Sequence, residues 1–578
     1  MPDKHHPRPD MARDHWLSLD GTWEFEFGAD GADSDKILLR ETLGGSITVP
    51  YCIESEASGI GIKDPPPVSW YARSFRRLDL PPGKRFFLTF GAVDYEAMVW
   101  LNGAFLGSHR GGYTSFTFEI TDHIADNNRL VVKVLDPRSR RTLRGKQYVW
   151  KKMSPIFYTP VSGIWQPVYI HATGNSSIEK IMISTNTDTI SISWTIDHGA
   201  RLVIEAAGPD GTATAGADIA DPARDSAISL TIKEPRLWSV DNPSLYTVTV
   251  SLHDGDGISD RVVTFVGLRS IEAREGKIFL NGDPLCLKML LVQGYYPAGH
   301  YTPVNGLEGY ERDILLIKAM GFNGIRIHQK IEDPRFLNLC DRHGLLAWIE
   351  MPSPFLFSIV EEKQFENELW DVLDRDCSHP SVMAAVLFNE TWGIADLLWS
   401  RGRKKYIRDL YRRVRERYPN LLVVDNSGYD HIMTDIVDIH HYLSDETKIR
   451  KLYESLGNPK KMTMRFFSIP RAIAYLVLTH RVARKPYLAG GTYRSFEPFM
   501  VSEFGGAGFY KTEKSILESF EDNLRIMKEY PAIAGYCLTQ AYDVEGEQNG
   551  LLTFQRESKY GIEEIAEVNS LLQTNLPK

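Results

Sequence analysis

The feature that most limits how this chain folds is a change of texture near residue 269. Before it, short alternating runs are separated by turn residues; beyond it, short apolar runs take turns with segments of helical period. The two textures bury their apolar faces differently, one as packed sheets and the other as a parallel sheet covered by helices. One chain must therefore hold at least two architectures. Its 578 residues also exceed what a single core supports, and two to four domains are expected.

Residues 1–173 read as a jelly-roll β-sandwich. Candidate strands include Arg85-Phe86-Phe87-Leu88-Thr89-Phe90, Ala97-Met98-Val99-Trp100-Leu101 and Leu130-Val131-Val132-Lys133-Val134. Asn102-Gly103 after the second of these is a hairpin signal, because both turn positions take positive φ. Residues 174–268 continue in strands with fewer aromatics. Ser191-Ile192-Ser193-Trp194-Thr195-Ile196 and Tyr246-Thr247-Val248-Thr249-Val250 alternate there, which predicts an immunoglobulin-like β-sandwich.

Residues 269–578 are predicted to form a (β/α)8 TIM barrel, so the whole is a multidomain β plus α/β chain. Spacing over 313–320 is helical, Gly321 ends it, and Gly324–Ile327 follows as a strand. With 285–290, 345–350, 382–387, 421–424, 436–439, 499–502 and 535–539 the strands number eight, and a helix is expected over Pro334–His343. The stretch 461–485 interrupts the alternation and reads as a loop insertion, with a lid or contact surface as the alternative.

In such a barrel the active site lies where the strands end. Strand two would offer Arg326, His328 and Lys330, strand three Glu350, and strand four Asn389 and Glu390. Strand six would offer His440, His441 and Tyr442, of which His441 and Tyr442 are taken toward the sugar, strand seven Glu503, and strand eight Gln540 and Asp543. This polar set suits a hydroxyl-rich ligand such as a sugar. Glu390 and Glu503 each close an apolar run, where a carboxylate is costly unless it has partners or a task. Two carboxyl groups about 5–5.5 Å apart are what retaining glycoside hydrolysis needs, one protonating the leaving oxygen and the other attacking the sugar. Arg326 and Tyr442 would keep the attacking group ionised. Burial and the second carboxylate would keep a proton on the acid. Asn389 could bond the sugar's 2-hydroxyl. Arg326 also reads as a barrel-core ion pair, and His328 equally as a packed imidazole.

Phe388-Asn389-Glu390 is similar to the acid/base motif of glycoside hydrolase family 2, and Ser502-Glu503-Phe504-Gly505 to its nucleophile motif. Gly111-Gly112-Tyr113-Thr114-Ser115-Phe116, Ser162-Gly163-Ile164-Trp165-Gln166-Pro167-Val168, Pro235-Arg236-Leu237-Trp238-Ser239 and Gly321-Phe322-Asn323-Gly324-Ile325-Arg326 resemble other stretches of the same family. The resemblance runs from about Leu17 to the C-terminus. It implies a retaining exo-β-glycosidase that releases a terminal β-linked sugar from an oligosaccharide or β-glycoside through a covalent glycosyl-enzyme. Glu390 would be acid/base, Glu503 nucleophile, and Tyr442 the nucleophile's phenolic contact. Family frequency puts a galactoside first; a glucuronide or other uronide is the alternative, and a carbohydrate-binding protein without catalysis a third. Two departures concern the sugar. The family's Arg-x-Ser-His-Tyr-Pro is here Arg326-Ile327-His328-Gln329-Lys330-Ile331, and its strand-eight Trp is replaced in Thr539-Gln540-Ala541-Tyr542-Asp543. The Asn-x-Lys pair of β-glucuronidases is not evident, and Lys330 is the candidate substitute for it.

Net charge −9 and a pI near 6.0 argue against nucleic acid and anionic membranes as partners. No apolar run approaches the roughly 20 residues that cross a bilayer. The N-terminus carries no apolar signal stretch, so a cytoplasmic location is expected. Five scattered cysteines without C-x-x-C predict reduced thiols and no zinc site. His440 and His441 are adjacent and would face opposite ways on a strand, so no catalytic metal is expected, and no cofactor. Gly505-Gly506-Ala507-Gly508 lacks the Lys-Ser/Thr of a phosphate loop. Asp543, Glu545, Glu547 and Asn549 read as a pocket rim, a cation site or a solvated loop. Association into a homo-oligomer is left open.

Overall fold

The computed structural model describes residues 5–28, 37–38, 40–150, 155–199, 201–222, 226–255, 257–456, 497–505 and 514–572. The stretch 461–485 and residues 506–508 of the glycine-rich run lie outside the described residues.

Two antiparallel sheets make the N-terminal sandwich. One carries Gly45–Val49, Gly21–Gly28, Val68–Arg76, Asn127–Leu135, Glu96–Leu101 and Ala104–Arg110 in that spatial order. The other carries Trp16–Ser18, Val168–Thr173, Arg85–Phe90 and Phe116–Glu119. Period-two alternation brings Trp23, Phe25, Tyr71, Val99 and Val132 into one core with Leu88, Phe90 and Ile170. The expected hairpin forms: Leu101 pairs with Ala104, with Asn102 at φ 52° and Gly103 at φ 84°. A second, smaller sandwich packs Ile178–Thr185, Thr189–Ile196 and Ala227–Thr231 against Ala213–Ile219, Arg201–Ala207, Tyr246–Asp254 and Gly257–Val266. Its core includes Ile192, Trp194, Ile204 and Val250.

The remaining chain forms a parallel eight-stranded sheet rolled into a barrel: β1 (Leu287–Val292), β2 (Gly324–Ile327), β3 (Leu346–Glu350), β4 (Val382–Val386), β5 (Leu422–Val424), β6 (Val437–His440), β7 (Phe499–Phe504) and β8 (Ile533–Leu538). Their order is β5-β4-β3-β2-β1-β8-β7-β6. Met289, Leu291, Trp348, Val386, Val424 and Met500 fill the interior, while Leu290, Ile325, Ile327, Ala347 and Val423 face the helices. Helix Pro334–His343 has the expected bounds because its signals agree. Asp333 caps it through Arg335 N–H, Pro334 opens it, and Gly344 closes it at φ 67°.

The expectation of eight strand-helix units needs one correction. Among the described residues, no helix stands between β5 and β6, and those two strands share no ladder. Residues 425–436 are rich in Asp, Asn, Ser and Gly, and their side chains satisfy the backbone locally instead. Asp435 bridges the seam, its N–H donating to Val423 O at 2.9 Å and its Oδ2 accepting Val423 N–H at 2.8 Å. Ser427 Oγ donates to Asp438 Oδ2 at 2.5 Å across the same gap.

The segment after Asn127–Leu135 leaves the first sandwich and crosses the barrel's C-terminal face. Phe355 and Leu356 N–H both donate to Arg140 O at 2.9 Å, and Gly145 N–H donates to Ser353 O at 3.1 Å. Gly145 has φ 54°, and a Cβ there would lie 2.1 Å from Gln329 O, so only glycine allows this approach. Farther along, Thr159 N–H donates to Glu545 Oε1 at 2.8 Å and the Tyr158 hydroxyl to the Glu547 carboxylate. The acidic loop after β8 is therefore a docking point for the sandwich and not a solvated loop. All five cysteines are free thiols, and no described helix is long and apolar enough to cross a membrane.

Candidate active site

Glu503 owes its direction to a bulge in β7. Ile439 pairs with Val501, but His440 pairs with Glu503, so Ser502 is the extra residue. Unbroken alternation would turn Glu503 toward the helices. With the bulge, Ser502 Oγ bonds the Asp438 carboxylate while Glu503 still enters the barrel mouth.

Arg326, on β2, gathers the site from a fully buried position. Its Nε donates to Glu350 Oε2 at 2.7 Å, Nη1 to Glu503 Oε1 at 2.9 Å and Ser502 O at 3.1 Å, and Nη2 to Asn389 Oδ1 at 2.8 Å. Burial pulls its pKa down, but Glu350 and Glu503 outweigh that and hold it above the ordinary value. For Glu350 burial acts upward, and Arg326 with His328 hold the carboxyl well below its usual range. The other oxygen of Glu503 accepts the Tyr442 hydroxyl at 2.5 Å. Burial first, and the Glu503 charge second, push that phenol well above its ordinary pKa, so it stays a donor.

Glu390 sits on the turn after β4, where it and Thr391 have φ of 48° and 64°. Left-handed backbone at such residues costs about 1–3 kcal/mol each. Three bonds hold it: Glu390 N–H to Ser427 O at 3.0 Å, Thr391 N–H to Asn426 Oδ1 at 2.9 Å and Trp392 N–H to Asn389 O at 2.8 Å. The turn aims Glu390 at His440, whose Nδ1 lies 2.9 Å from Glu390 Oε1. Arg326 Nη1 lies 3.1 Å from His440 Nε2, and a guanidinium only donates. His440 Nε2 must therefore accept, which leaves Nδ1–H to donate to Glu390.

This corrects the expected state of Glu390. Burial does push its pKa up, but the His440 hydrogen bond, Tyr429 and Lys146 pull harder and hold it below the ordinary carboxylate value. These partners favour the ionised form of Glu390.

The sequence-derived set divides. Arg326, Glu350, Asn389, Glu390, Tyr442 and Glu503 form one hydrogen-bonded constellation, and His328 joins it with Nδ1 3.1 Å from Glu350 Oε1. His441 does not. It is buried behind the mouth, with Nε2 2.7 Å from the Tyr453 hydroxyl in the helix layer, because neighbours on a strand face opposite ways. Lys330 does not either: its donors go to Glu332 at 2.8 Å, Gly294 O at 2.9 Å and Tyr301 O at 3.1 Å, leaving none for a sugar. Gln540 is likewise engaged by Gln293 at 2.7 Å and Asn549 at 2.9 Å, and Asp543 by Lys559 at 2.7 Å and Gly550 N–H at 2.9 Å.

Residues missed from sequence are Trp392 and, from the sandwich, Lys146 and Phe157, while His440 was passed over in favour of His441. His440 had a signal, since it shares strand parity with Tyr442. Trp392 contacts Phe157, ring centroids 5.4 Å apart, and lies 6.5 Å from the His328 ring. Glu390, His440 and Glu503 each bring one ligand-type atom within 4.8 Å of the others. Arg326 already stands 2.9 Å from Glu503 and 3.1 Å from His440, so a guanidinium fills the position a cation would need. His440 and His441 do not share one ion position either, because His441 faces away toward Tyr453 at 2.7 Å.

Comparison with known proteins agrees with this geometry. Residues 17–170 match the model for the sugar binding domain of glycosyl hydrolases family 2, and residues 178–269 match the model for glycosyl hydrolases family 2. The chain belongs to glycoside hydrolase family 2. Within the family, it is 27% identical over 343 residues to a β-galactosidase of Thermoanaerobacter pseudethanolicus, covering 56% of this chain and 45% of that protein. It is 24% identical over 546 residues to a β-glucuronidase of Bacteroides fragilis, covering 82% of this chain and 71% of that one. The chain thus spans about half the length of the β-galactosidase relative. The β-glucuronidase from Ruminococcus gnavus in complex with D-glucuronic acid superposes with a TM-score of 0.76 at 19% identity, over 98% of this chain and 99% of that chain. At that identity the likeness concerns the fold of this family 2 chain.

Proposed function

We propose that the chain is a retaining exo-β-glycosidase, with Glu503 as nucleophile and Glu390 as general acid and base. The observation that carries this is the closeness of Glu390 and Glu503, with an oxygen of each within 4.8 Å. That suits the short separation of retaining enzymes, about 5–5.5 Å, and not the roughly 6.5–9.5 Å of inverting ones. Arg326 and Tyr442 each hold one Glu503 oxygen, which orients the nucleophile and stabilises the carboxylate when it departs from the glycosyl-enzyme. Asn389 Nδ2 is buried without a partner and is the donor for the sugar's 2-hydroxyl.

The finer reading is a β-uronide such as a glucuronide as substrate. It is supported by the likeness in fold to β-glucuronidases from Ruminococcus gnavus and Bifidobacterium dentium. A galactoside is the second reading, favoured by the Thermoanaerobacter relative. Glu503→Gln is expected to abolish turnover and labelling by a 2-deoxy-2-fluoro glycoside. Glu390→Ala with azide is expected to yield the glycosyl azide of retained configuration. Persistent turnover in the first variant, or an inverted product in the second, would overturn the assignment.

A further inference from the structure

The cations around the mouth are not equal. Arg326 and Lys330 have their donors taken by protein acceptors, and Lys559 is bound to Asp543. Lys146, brought in by the sandwich segment that crosses the barrel, is 6% exposed and poorly matched. Its closest carboxylate oxygen, Glu547 Oε2, is 3.6 Å away and already accepts the Tyr158 hydroxyl. Among the described residues its other contacts are aromatic faces, Tyr158 at 5.5 Å and Trp392 at 5.8 Å from the ring centroids. An ammonium taken from water without close acceptors is costly, and an anionic ligand would supply them.

Position tells which anion. Trp392 is two residues beyond Glu390, and Glu547 lies in the loop after β8, so Lys146 stands over the mouth between the two sides. A sugar whose anomeric carbon meets Glu503 would lie beneath it. We infer that Lys146 is the specificity-determining cation of this site and receives the carboxylate of a terminal β-uronoside. This rests on the glycosidase assignment of Glu390 and Glu503. It moves the carboxylate contact from the barrel to the N-terminal sandwich, where Lys330 had been expected to provide it. A further consequence supports it. Lys146 is among the charges that hold Glu390 ionised, so a carboxylate that neutralises it favours protonation of the acid as the substrate binds.

The test compares 4-nitrophenyl β-D-glucuronide and β-D-galacturonide with the β-D-galactoside for the full chain and for Lys146→Met and Lys146→Arg. The ratio of kcat/KM for uronide over galactoside is expected to fall about 10- to 150-fold in Lys146→Met, the loss carried by one charged hydrogen bond. Lys146→Arg should recover part of it. A ratio that changes less than about threefold, or a native chain that cleaves only the neutral sugar, overturns the inference. Calorimetric titration of Glu503→Gln with D-glucuronate, with and without Lys146→Met, reads the contact independently of turnover. Affinity lost with Lys146 supports it, and unchanged affinity or no binding overturns it. Failure of the glycosidase assignment shows separately, as turnover that persists in Glu503→Gln.

Discussion

Replacing His440 by Ala removes the donor that stands 2.9 Å from Glu390 Oε1. Burial then acts on Glu390 with its main opponent gone, so the pKa rises. A hydrogen bond to a charged group is worth about 1.5–3 kcal/mol. At about 1.36 kcal/mol per pKa unit, that is an upward move of about 1–2 units. The profile of kcat/KM against pH reports the free enzyme, and its basic limb follows the proton on the general acid. A raised pKa keeps that proton to higher pH, so the basic limb should move up by about 1–2 pH units. The assay pairs a phenyl glycoside, whose leaving group needs the proton, with a 2,4-dinitrophenyl glycoside, which does not. The shift is expected for the first only. His440→Asn keeps a donor and should show a smaller shift. A basic limb that stays, moves down, or moves alike for both substrates would refute the role given to His440.

Three further outcomes are expected. Arg326→Gln leaves the fully buried Glu350 without its cation and should destabilise the barrel by about 3–5 kcal/mol. Because the folded pKa of Glu350 is depressed, its contribution is present above the ordinary carboxylate range and lost as pH falls; the drop in unfolding temperature should therefore be larger near about pH 7.5 than near about pH 4. Lys330→Met should lower the unfolding temperature by stranding Glu332 while leaving KM for aryl glycosides in place; a selective rise in KM for uronides would return Lys330 to the sugar site. Asn389→Ala should lose more kcat/KM on a glycoside bearing the 2-hydroxyl than on its 2-deoxy analogue, by about 2- to 10-fold, and equal losses would remove that contact.

The barrel strands were legible because each is a short apolar run bounded by turn residues, and β2 and helix Pro334–His343 fell at the expected bounds. The lack of a described helix between β5 and β6 could not be read, because that connection is closed by Asp435 and Ser427 side chains acting across a seam. At the site, carboxylates at strand ends announced themselves by their cost, and Arg326 and Tyr442 followed from them. The choice of His441 over His440 was an error of parity that Tyr442 could have prevented. Lys330, Gln540 and Asp543 were misplaced for another reason. Sequence shows that a polar residue lies near a strand end, but not whether its neighbours have already used its hydrogen bonds.

By itself, the sequence determined the kind of architecture and the two carboxylates, since periodicity, turn residues and the cost of a buried charge are local properties. Tertiary structure alone decided where those carboxylates point and what holds them. A one-residue bulge turned Glu503 inward, a hydrogen bond from His440 holds Glu390 in the ionised form where a proton had been expected, and a loop of a different domain set Lys146 beside Trp392 and Glu547. Each depends on groups far apart in the chain meeting in a space where water is excluded, and there the few available partners fix charge and direction.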